Sequence, residues 1–80
     1  MNSQRMEKVM TPVIEKLEKL AQPELAAELD WCWGSYQNDL NPSGLIAKSE
    51  AALSIFKATR EKNSKAVAKK LVDDLAAALA

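Results

Sequence analysis

The chain has no histidine, one cysteine, two glycines and three prolines in 80 residues, and its acidic and basic groups cancel. Each shortage closes off a class of chemistry. Without histidine there is no Ser-His or Cys-His nucleophile pair and no imidazole metal ligand. One cysteine, Cys32, forms no internal disulfide and builds no structural zinc site. Gly34 and Gly44 stand alone, so no glycine-rich loop can cradle a phosphate. A formal net charge of zero provides no overall field to draw the chain onto nucleic acid or an anionic surface. No run approaches the roughly 20 apolar residues of a membrane span. Met1 to Met10 is charged and lacks the apolar centre of a signal peptide. With a single cysteine, we therefore expect a reducing, cytoplasmic setting and no enzyme, cofactor or metal site.

What remains is helix-forming. Hydrophobic residues make up 48% and charged residues 28%, and Ala, Leu, Glu and Lys dominate over β-branched types. Read at about 100° per residue, the pattern predicts four amphipathic helices in a single domain over residues 1–80. The first runs from about Ser3 to Ala21, with Met6, Val9, Met10, Val13, Ile14, Leu17, Leu20 and Ala21 along one stripe. Pro12 lies on its polar side and either kinks one long helix, the reading favoured here, or starts a fresh one capped by Thr11. The second begins at Pro23 and runs to about Asp39, with Leu25, Leu29, Cys32, Tyr36 and Leu40 inward and Trp33 on the shoulder. Asn41-Pro42-Ser43-Gly44 is a turn, and Asn41 or Ser43 is expected to cap the third helix. That helix carries Leu45, Ile46, Ser49, Ala52, Leu53, Phe56 and Thr59 inward and ends near Lys62. Asn63-Ser64 is expected to break the chain and cap a fourth helix bearing Val67, Ala68, Leu71, Val72, Leu75, Ala78 and Leu79. Short connections make neighbours antiparallel, so we expect an all-α antiparallel bundle of four helices, arranged as two helical hairpins.

The charge is unevenly distributed. Residues 1–40 carry four basic and seven acidic groups, and residues 41–80 carry seven basic and four acidic. The halves are thus suited to lie against each other, within or between chains.

The second helix has a second apolar feature. Trp31 projects away from the inward stripe, beside Glu24, Ala27, Glu28, Ser35 and Asn38, with Gly34 near it. Large aromatic side chains flanked by small residues serve as interface anchors. The third helix similarly carries Ala47, Ala51, Ile55 and Ala58 on another side. Two arrangements account for this. Helices two and three could be central in a layer and cover these faces within the chain. Alternatively, the faces could form a seam with a second copy or another helical protein. The expected contact residues are Ala27, Trp31, Gly34 and Ile55, and the leading expectation is a non-enzymatic, self-associating interaction module. The alternative is a small nucleic-acid-associated protein using Lys57, Arg60, Lys62, Lys65 and Lys69, although no aromatic residues are interleaved with that basic run. A third reading places a ligand or redox site at Cys32, Trp33 and Tyr36. No cation lies within four positions of Cys32 to activate its thiol, so a buried apolar role is expected for it. Glu24 and Glu28 share a face at i,i+4 and could hold a cation weakly, although a solvated helix face commonly carries such pairs.

Overall fold

The computed structural model describes residues 1–80 and contains four α-helices: α1 (Ser3–Lys19), α2 (Pro23–Asp39), α3 (Ser43–Lys62) and α4 (Lys69–Leu79). No helix is long and apolar enough to cross a membrane. Each helix packs on its chain neighbours, and α1 also packs on α4, so the bundle closes into a ring. The Cα radius of gyration is 11.7 Å, as expected for a folded 80-residue domain (about 11.6 Å).

The closed ring rules out the layered alternative. None of the four helices is sandwiched between two others across a sheet-like layer, so each needs only one apolar face. Met6, Val9, Met10, Val13 and Leu17 of α1 supply the largest share of the core. Ala26 and Leu29 of α2, Leu45, Ala52 and Phe56 of α3, Val67, and Val72, Leu75 and Ala78 of α4 complete it. Buried Ser49 directs its hydroxyl at the Met6 sulfur, 4.0 Å away.

α1 is one continuous helix through Pro12, which lies on its exposed side. Proline returns no N–H to the carbonyl four residues back; placed here, that gap faces water. Asn2 caps the start, its Oδ1 accepting from the Arg5 N–H at 3.1 Å, and its own N–H donates to the Ala78 carbonyl at 2.7 Å. The helix stops before Ala21, which is not on the inward stripe. Ala21 adopts the left-handed conformation (φ 61°) and is exposed. The Gln22 N–H reaches the Leu17 carbonyl at 2.9 Å and the Ala21 N–H the Glu18 carbonyl at 3.2 Å. This is the six-to-one, five-to-two closure that satisfies orphan carbonyls at a helix end, normally built on glycine.

Two further expectations are corrected. Leu40 does not extend the inward stripe of α2. It is the left-handed residue ending that helix (φ 59°), with its N–H on the Tyr36 carbonyl at 2.7 Å and its side chain 71% exposed. The change of backbone hand turns it off the helical phase. α4 begins at Lys69, not at an Asn63-Ser64 cap. Asn63 ends α3 in an extended conformation, and residues 64–68 form a turn that buries Val67 and leaves Ala68 exposed. The Asn63 side chain accepts from the Lys65 N–H at 3.1 Å, satisfying the turn and not the helix. At the α2–α3 corner, Asp39 Oδ1 accepts from the Asn41 N–H at 2.9 Å, and Asn41 Oδ1 accepts from the Ser43 N–H at 3.1 Å. Pro42 occupies the N-cap position itself without a side-chain hydrogen bond.

Candidate functional site: the outer face of α2

Pro23 at the first helical position and Glu24 in the first turn start α2 cleanly. From there the helix buries only Ala26 and Leu29 fully, while Leu25, Cys32, Trp33 and Tyr36 are half-buried against the core. Trp33 and Tyr36 stack on each other at a centroid distance of 5.9 Å and an interplanar angle of 22°. That phase puts Trp31 on the opposite side, where its residue surface is 73% exposed. No other helix of the chain covers it.

Trp31 stands between shallow recesses. One of about 380 Å³ is lined by Ala27, Glu28, Trp31, Cys32 and Lys48, bridging α2 and α3. Another, of about 360 Å³, is lined by Trp31, Gly34, Ser35 and Asn38. Ala27 and Gly34 are both exposed, and a Cβ added at Gly34 would meet nothing within 4 Å. Three of the four expected contact residues therefore share one surface. Ile55 is half-buried on α3 and lines neither recess.

Lys48 is the residue sequence reading missed. Its ammonium forms an ion pair with Glu28 across the α2–α3 groove. The hydrogen bond to Glu28, then the carboxylate's charge, holds the Lys48 pKa above the usual lysine value. The cation that Cys32 lacks among its sequence neighbours is thus brought into the same recess by α3, already engaged by Glu28. The Cys32 thiol is half-buried with its sulfur 3.6 Å from where a Gly44 Cβ would stand. Glu28 is consequently not a free partner of Glu24 for a cation, and no three Cys, Asp or Glu side chains converge anywhere in the chain.

The basic run is split by the fold. Arg60 turns inward, its Nη1 donating to the Ser64 carbonyl at 2.9 Å and the Val67 carbonyl at 2.6 Å. It closes the α3–α4 turn. Lys57, Lys62, Lys65 and Lys69 are exposed at that end of the bundle, and Lys69 lies 3.5 Å from Asp73 one helical turn on. A second basic feature comes from residues far apart in sequence. Arg5, Lys8, Lys70 and Asp74 line a groove of about 450 Å³ between α1 and α4, together with Val9, Leu71, Ala77 and the exposed Pro12.

The chain matches no protein-family model, no curated protein and no solved structure.

Proposed function

We propose that this chain is a non-enzymatic helical interaction module that self-associates through the outer face of α2. The observation that carries the reading is Trp31, a large aromatic side chain 73% exposed at the middle of a helix in an otherwise well-packed bundle. A lone exposed leucine needs no explanation, but exposed tryptophan beside small residues matches the composition of interface centres. Covering the indole removes on the order of 150 Å² of mostly apolar surface, about 4 kcal/mol for each copy at 25 cal/mol per Å². The ends of this surface are polar (Glu24, Asn38), as interface rims are.

The test is optical. Trp33 is half-buried within the chain while Trp31 is open to water. Diluting the protein from millimolar to sub-micromolar concentration should shift tryptophan emission to the red and increase quenching by iodide. Substituting Trp31→Phe should remove most of that dependence. Emission that does not change with dilution, with Trp31 open to quencher at every concentration, would contradict the proposal.

A further inference from the structure

We propose that two copies pair through α2 in antiparallel fashion, about a twofold axis that passes beside Trp31. This rests on the self-association reading above and specifies its geometry. Trp31 is the central residue of α2, equidistant from Pro23 and Asp39. At 3.6 residues per turn, Glu24, Trp31 and Asn38 form one row along the outer face, Ala27 and Gly34 form the row on one flank, and Glu28 and Ser35 form the row on the other. All are exposed except half-buried Ser35.

An antiparallel twofold sets each residue before the centre against one after it on the same flank. Glu24 then meets Asn38 of the second copy, a carboxylate against an amide donor. Ala27 meets Gly34, two small residues that let the backbones approach beside the indoles. Glu28, with Lys48 attached, meets the Ser35 hydroxyl. The two Trp31 rings lie side by side at the axis. Every acid thus faces a donor or a small group, and no acid faces an acid. A parallel arrangement exchanges the flanks, so that Glu28 would face Ala27, but it would bring Glu24 against Glu24. The self-complementarity of this face under one symmetry operation is what identifies a second copy as the occupant, since a C2 contact requires the same patch to fit itself. A pair of helices of this length buries on the order of 1,000 Å², near the lower limit of specific interfaces. Contacts of that size are usual in weak, transient complexes, so we expect dissociation in the micromolar range.

Cross-linking tests the pairing. In a Cys32→Ser background, Ala27→Cys and Gly34→Cys proteins are prepared separately, checked for helical content, and oxidised alone and mixed. In the proposed register residues 27 and 34 of opposite copies are adjacent, whereas the two copies of residue 27 lie about 12 Å apart along the axis at 1.5 Å per residue. The mixture should form disulfide dimer at least tenfold faster than either protein alone. As a second readout on the Cys32-containing chain, Asn38→Lys should tighten association several-fold by facing Glu24, and Asn38→Glu should weaken it several-fold. If the chain dimerises but the mixture cross-links no faster than Ala27→Cys alone, or both Asn38 variants act in the same direction, the antiparallel pairing is overturned and self-association stands. A chain that stays monomeric at millimolar concentration overturns both.

Discussion

Replacing Arg60 with methionine keeps most of the side chain's apolar stem but removes the group that closes the α3–α4 turn. Its Nη1 donates to two carbonyls, Ser64 at 2.9 Å and Val67 at 2.6 Å. A hydrogen bond from a charged donor contributes about 1.5–3 kcal/mol. The Ser64 carbonyl is exposed, so water replaces most of its share. The Val67 carbonyl is partly buried beside a fully buried side chain and loses more. Together the loss comes to about 2–3 kcal/mol, a large fraction of the roughly 4–12 kcal/mol expected for a domain of this length. With a urea m-value of about 1 kcal/mol/M, the midpoint followed by far-ultraviolet circular dichroism should fall by about 2 M. Lysine presents a point charge in place of a planar fork, so Arg60→Lys should recover only part of the loss. Amide exchange in residues 63–70 should accelerate more than in α1 or α2 in both variants. An Arg60→Met midpoint within about 0.5 M of wild type would refute the assignment of Arg60 to the turn.

Four other substitutions probe the fold. Ala21 and Leu40 hold left-handed backbone at exposed helix ends, which costs a non-glycine residue about 1 kcal/mol; Ala21→Gly and Leu40→Gly should each raise stability by about 0.5–1 kcal/mol, and a lowered Tm for both would contradict the assigned cap geometry. Pro12 interrupts α1 on its solvent side, so Pro12→Ala should restore a backbone hydrogen bond and add about 1–3 kcal/mol; unchanged or reduced thermal stability would show that the interruption is compensated. Lys48 titrates above its unfolded value because Glu28 holds its charged form. The stabilisation is therefore complete below the unfolded lysine pKa of about 10.4 and disappears as pH rises through the folded value. The stability gap between wild type and Lys48→Met should be constant from pH 7 to about 10 and close above that, and a gap undiminished at the alkaline end would contradict the ion pair.

How far the sequence disclosed the fold depended on whether local pattern or distant contact was decisive. Met6, Val9, Met10, Val13 and Leu17 fall on a helical stripe with nothing to compete, and all five are buried. Pro23 and the Asn-Pro-Ser-Gly turn mark α2 and α3 because prolines and turn residues act on the backbone next to them. Leu40 and Ala21 misled because an apolar side chain in helical phase gives no sign that its own backbone will change hand. The start of α4 was misplaced for a related reason: Asn63 and Ser64 are good capping residues, but Arg60, four residues before Ser64, claims the turn for itself. The Trp31 face was legible because helical phase alone sets it opposite Leu29. Whether the bundle covered it was not, since that turned on whether α1 met α4 and closed the ring. The Lys48–Glu28 pair lies twenty positions apart and was foreshadowed only by the opposite charges of the two halves.

Sedimentation equilibrium reads whether the exposed tryptophan joins two copies. Wild type and Trp31→Ser would be run side by side from micromolar to millimolar concentration, with circular dichroism confirming equal helical content. Trp31 packs against nothing that holds the bundle, so the substitution should leave folding intact. Wild type should show a monomer–dimer equilibrium in the micromolar range, and Trp31→Ser a dissociation constant at least about 30-fold higher, the equivalent of roughly 2 kcal/mol. Two proteins that are equally monomeric at millimolar concentration, or that dimerise with the same constant, would contradict self-association through Trp31.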